Sequence, residues 1–117
     1  MNEKEQIELM NNMADNLPTL RKRLDLSQEE LAKLVGVSRS TIVNIENKKR
    51  IMAWNTFLSL ILIFTKNKET DRLLTVMNVY TDELNDMIKN RRYTKRENKI
   101  NEQETRKTSA MGKRIIE

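Results

Sequence analysis

The chain contains no cysteine and no histidine. Without thiols there is no disulfide framework, no thiolate nucleophile and no cysteine-ligated zinc, and nothing points to an oxidising compartment. Without imidazole the commonest general base and metal ligand is missing as well. Glycine occurs only at positions 36 and 112, so no glycine-rich phosphate loop can form. Long hydrophobic runs are also lacking. The longest, Trp54 to Phe64, is eleven residues broken by Asn55, Thr56 and Ser59, well short of the roughly 20 that cross a bilayer. The charged opening Met1-Asn2-Glu3-Lys4-Glu5 has no apolar signal core. These absences argue against an enzyme, a metal site, a cofactor and a membrane protein, and they imply a cytoplasmic chain.

What is present fits a small helical protein. The 117 residues, 38% hydrophobic and 33% charged, provide one domain, or a small domain with tails. The net charge of +5 is unevenly spread. Residues 1–88 hold 12 basic and 13 acidic side chains, whereas residues 89–117 hold 10 and 4. The positive excess therefore belongs to the C-terminal tail and to local patches, a distribution suited to touching a polyanion.

Helical periodicity runs through most of the chain. Ile7, Met10 and Met13 lie three apart, and Leu17, Leu20 and Leu24 continue the stripe. Pro18 interrupts it, which predicts an N-terminal helix over 3–14 and a second helix near 17–24, with Asn16 as its cap and Pro18 in its first turn. Ser27-Gln28-Glu29-Glu30 reads as a capping box opening a helix with Leu31, Leu34 and Val35 inward, Ala32 at a close crossing and Gly36 as the stop. Ser38 caps a further helix with Ile42 and Ile45 inward, closed by Lys48-Lys49-Arg50. Residues 53–64 are apolar on all sides and predict a central core helix. Trp54 and Phe57 read as core rather than as the lining of a ligand pocket. Asn67 caps a helix with Leu73, Leu74 and Met77 inward, and Thr81-Asp82-Glu83 starts a last one with Leu84, Met87 and Ile88 inward. Asp82, Glu83 and Asp86 read as helix-start carboxylates, not a metal site. Beyond Arg91 too little apolar surface remains for a core.

Two short capped helices joined by Val35-Gly36-Val37-Ser38 form the helix-turn-helix pattern, whose second helix can enter a DNA major groove. The stretch 17–64 resembles the lambda-repressor-like family, the phage repressor and Cro type to which XRE-like regulators belong. The matching residues are Leu20-Arg21, then Leu26-Ser27-Gln28-Glu29-Glu30-Leu31-Ala32, then Val35-Gly36-Val37-Ser38-Arg39-Ser40-Thr41-Ile42, and Ile45-Glu46-Asn47. The resemblance implies an all-α bundle of about five helices that binds double-stranded operator DNA as a homodimer. It leaves residues 1–16, an N-terminal helical extension, and residues 92–117, a basic tail, outside the family pattern. The expected organisation is therefore the extension over 1–16, the DNA-binding domain over 17–80, a C-terminal helix over 81–91 and the tail.

On the helix begun by Ser38, the outward positions Arg39, Ser40, Thr41, Val43 and Asn44 are the expected base contacts. Arg39 can fork onto guanine O6 and N7, Asn44 can pair with adenine, and Val43 suits a thymine methyl. Gln28, Ser38, Asn47, Lys48, Lys49 and Arg50 are the expected phosphate contacts, Gln28 by its match to a family residue at a helix N-terminus. Lys48 stands where the family usually has glycine, so Asn47 or Lys48 must take the left-handed turn. Arg21 and Glu46 match a family ion pair and are expected to be structural.

The expected function is sequence-specific DNA binding by a transcriptional regulator, a repressor, with two half-sites about one helical turn apart. Residues 68–91 are the expected dimer interface. The rival reading is a protein-interaction module, such as the antitoxin of a toxin–antitoxin pair, that wraps a protein partner with its tail.

Overall fold

The computed structural model describes residues 1–89, which form six helices and, among the described residues, no strand. In order they are α1 (Glu3–Arg23), α2 (Gln28–Val35), α3 (Arg39–Glu46), α4 (Trp54–Thr65), α5 (Lys68–Val76) and α6, whose described part spans 82–89. The first five lie in one compact unit, Met1–Thr81, and a second unit begins at Asp82. The basic tail from residue 92 lies outside the described residues.

Within the first unit α1 is the spine, packed against α3, α4 and α5, while α2 packs on α3 and α4, and α4 packs on α5. Met13, Leu17 and Leu20 of α1 meet Leu31, Ile42, Ile45, Phe57, Leu60, Phe64 and Leu74 in a fully buried core. Thr70 is buried as well. Its hydroxyl donates to the Phe64 carbonyl at 2.6 Å, which satisfies the group and ties the start of α5 to the end of α4.

The break expected at Pro18 is absent: α1 runs unbroken through it. A mid-helix proline costs about 3 kcal/mol or more, but Met13, Leu17 and Leu20 are fully enclosed on both sides of it, and that burial keeps the two halves in line. Asn16 is accordingly no cap. It sits inside α1 and its Nδ2 donates to the Asn12 carbonyl at 2.8 Å. The actual cap is Asn2, in a capping box with Glu5.

Three further expectations are corrected by exposure. Leu34 is 60% exposed, because at about 100° per residue it falls outside the face shared by Leu31, Ala32 and Val35. The apolar helix α4 is not enclosed all round: Phe57, Leu60, Ile61 and Phe64 are buried, while Leu62 is exposed. On α6, Leu84 is fully buried but Ile88 is exposed.

Among the described residues, four helix ends turn through the left-handed region, at Asp25, Gly36, Lys48 and Asn78. Each reversal is closed by an amide reaching back over the last turn, as from Leu26 to Arg21, Val37 to Ala32, Lys49 to Asn44 and Val79 to Leu74.

Candidate nucleic-acid interface

α2 is built by its caps. The Ser27 hydroxyl accepts the Glu30 amide at 3.0 Å, and the Glu30 carboxylate accepts the Ser27 amide at 2.8 Å. The Ser27 amide, then the Ser27 hydroxyl, and then the charge of Lys33 hold the Glu30 carboxyl below the usual glutamate range. At the other end Gly36 takes φ 89°, where a side chain would be strained but where a Cβ would meet nothing within 4 Å. The glycine is thus needed for its backbone and not for space.

α3 follows after one extended residue, Ser38, whose Oγ accepts the Thr41 amide at 3.2 Å and lies 3.0 Å from Ser40 Oγ and 2.9 Å from Thr41 Oγ1. Three hydroxyls are therefore clustered at the N-terminal end of α3. Ile42 and Ile45 are fully buried and anchor the helix to the core. The opposite side carries Arg39 and Ser40, both exposed, while Thr41, Val43 and Asn44 are partly buried. Among the described residues the Arg39 guanidinium has no ion-pair partner. This gives a cationic fork, hydroxyls, an amide and one branched apolar side chain along a single short helix, each chemically able to meet a base edge.

The base of α3 is locked to α1 and α2 through Glu46. Its Oε2 accepts Arg21 Nε at 2.8 Å, and its Oε1 accepts Arg21 Nη2 at 3.2 Å and Gln28 Nε2 at 3.0 Å. Arg21 Nη1 also donates to the Leu26 carbonyl at 2.9 Å. Both side chains of the pair are largely buried, 11% exposed for Arg21 and 6% for Glu46. The Gln28 amide is thereby engaged with Glu46.

The cation run Lys48-Lys49-Arg50 does not close α3. The helix ends at Glu46 with no cation in its last turn, and the run forms the loop that follows. Of the two candidates for the left-handed turn, Lys48 takes it, with φ 61°, while Asn47 stays at φ −85°. The reason is the hydrogen-bond pattern: the Lys48 amide reaches the Ile45 carbonyl at 3.0 Å and the Lys49 amide the Asn44 carbonyl at 2.8 Å, which requires the reversal one residue after Asn47. Asn47, Lys48, Lys49 and Arg50 are all exposed. Lys48 Nζ forms an ion pair with Asp15 of α1. Sequence reasoning missed Asp15, because the two residues lie 33 positions apart and only the packing of α1 on α3 joins them.

No helix of the described residues is long and apolar enough to cross a membrane, and among those residues no cluster of acidic side chains could hold a metal ion. A family model described as "Helix-turn-helix" matches residues 19–52, from the last part of α1 through α2 and α3 to the end of the cationic loop. No curated protein and no solved structure matches the chain. The Gly36 turn, the buried Ile42 and Ile45, and the outward Arg39 all fall within that match, and residues 19–52 are therefore similar to a helix-turn-helix in both sequence and structure.

Proposed function

We propose that the chain binds double-stranded DNA in a sequence-specific manner and acts as a transcriptional repressor by occupying an operator. The carrying observation is α3 itself: Ile42 and Ile45 are buried beneath it, Arg39 and Ser40 are exposed, and Thr41, Val43 and Asn44 are partly exposed. In this reading α3 enters the major groove and those five residues select bases. Ser38, Gln28 and the run Asn47, Lys48, Lys49 and Arg50 meet backbone phosphates on either side, giving affinity that is independent of sequence.

An eight-residue reading helix spans only about 12 Å at 1.5 Å per residue, a single half-site. Useful specificity then calls for two copies one helical turn apart. Val76 on α5, 71% exposed, lies within residues 68–91 and supports that region as the contact between copies. Selection of bound sequences from a pool of random duplexes tests the reading. It predicts enrichment of a two-fold repeated half-site. Uniform retention of all duplexes would support a non-specific binder instead, and no retention would favour a protein-interaction module such as an antitoxin.

A further inference from the structure

The loop after α3 and the middle of α1 enclose a groove of about 560 Å³ lined by Met10, Asn11, Ala14, Asp15 and the run from Lys48 to Met52. Its lining carries three cations, Lys48, Lys49 and Arg50, and a single carboxylate, Asp15. That carboxylate is paired with Lys48, while Lys49 and Arg50 have no ion-pair partner among the described residues. Both members of the pair are about half-exposed, with side-chain exposures of 60% for Lys48 and 51% for Asp15. The pair is thus open to exchange with an anion from solvent.

We propose that Asp15 occupies Lys48 in the free protein in the place a DNA backbone phosphate would take, and so sets the affinity for DNA below what the cationic loop alone would give. The inference rests on the proposed DNA-binding function and adds to it a residue of α1 that touches neither base nor phosphate. A carboxylate and a phosphodiester are both anionic oxygen acceptors for the same ammonium, so only one of them can be its close partner. Lys48 takes the left-handed turn after α3, φ 61°, and its flexible side chain reaches Asp15 from there. On binding, Lys48 turns from Asp15 to phosphate, and the freed Asp15 is left beside the polyanion. Exchange of this kind costs affinity twice: the original pair is broken, and a negative charge remains close to the duplex.

The replacement Asp15→Asn keeps the shape and removes the charge. On the selected duplex it is expected to tighten binding about two- to ten-fold at low salt, which corresponds to about 0.4–1.4 kcal/mol at 1.4 kcal/mol per factor of ten. The second arm repeats the substitution in a Lys48→Gln background. If Asp15 acts through Lys48, the gain there falls to less than half of that in the original chain. An equal gain in both backgrounds overturns the proposal in favour of a diffuse field effect. Unchanged or weaker binding by Asp15→Asn also overturns it while leaving the DNA-binding reading intact. Failure of the unaltered protein to bind any duplex removes that reading, and the proposal falls with it. Thermal unfolding of each variant, expected to be nearly unchanged because both side chains are exposed, shows that the comparison is between folded proteins.

Discussion

Arg21 and Glu46 stand 25 residues apart in the chain, and the guanidinium of one grips the carboxylate of the other side-on through Nε and Nη2, at 2.8 and 3.2 Å. The same guanidinium holds the Leu26 carbonyl, and the same carboxylate holds the Gln28 amide. One ion pair therefore joins the end of α1, the entry to α2 and the end of α3. Its burial decides its energetics: a charge left alone there would be stranded away from water.

Replacement of Arg21 or Glu46 by alanine is expected to destabilise the folded state by about 3–5 kcal/mol, the cost of an uncompensated buried charge. Replacing both by apolar residues of similar length is expected to cost much less, since neither charge is then orphaned. Urea unfolding of the three variants checks this. A loss below about 1 kcal/mol for either single variant, the range of exposed ion pairs, would show that water reaches the pair.

The turn between α2 and α3 offers a separate measurement of backbone strain. A Cβ at Gly36 meets nothing within 4 Å, but the residue sits at φ 89°. Gly36→Ala is accordingly expected to cost only the left-handed backbone penalty, about 1–2 kcal/mol, with no repacking of the core. Denaturant unfolding measures that cost, and a value well above the range would mean that the turn cannot keep its geometry.

The capping box predicts a pH dependence. The Glu30 carboxyl is held below its ordinary value by the Ser27 amide and hydroxyl and by Lys33. A folded value lowered in this way contributes stability that is present above the unfolded pKa, about 4.3, and is lost as pH falls through the folded value. Glu30→Gln keeps an acceptor but not the charge. The stability difference between the unaltered protein and this variant should therefore be constant from about pH 5 to 7 and shrink below about pH 4. With no histidine in the chain, no imidazole titration overlies the comparison. A difference independent of pH would show that the charge of Glu30 contributes nothing to the cap.

The cationic loop should act through the backbone of DNA and not through its bases. Replacement of Lys48, Lys49 and Arg50 by glutamine is expected to weaken specific and scrambled duplexes about equally. It should also reduce the salt slope by up to about 0.9 for each phosphate that is no longer neutralised. Titrations at two or more salt concentrations measure both quantities. A salt slope that does not change would place the three cations in solvent.

What could be read in the sequence divides along the range of the interactions. The Ser27–Glu30 box, the Ser38 cap, the Gly36 stop and the Asn67 cap all bond within four residues, so spacing alone locates them. Ile42 and Ile45 are legible for the same reason, as helix positions three apart. Pro18 misleads because local preference argues for a break, and only the enclosure of Met13, Leu17 and Leu20 by other helices outweighs it. Lys48 is a poor candidate for a left-handed turn by propensity, yet the amide that follows it closes back on its helix. Leu62 and Leu34 show a different limit: an apolar residue on a helix does not state which neighbour, if any, covers it. The pairing of Asp15 with Lys48 depends on two helices meeting and has no local signal at all.

The central claim is that α3 reads bases, and Arg39, exposed at its start and without an ion-pair partner among the described residues, is the side chain that tests it most directly. The measurement is the affinity of the unaltered protein and of Arg39→Ala for the selected duplex and for duplexes substituted one base pair at a time. A loss of about 1–3 kcal/mol together with relaxed preference at one guanine is the predicted result. Equal affinities for both proteins, with every base preference retained, would contradict it.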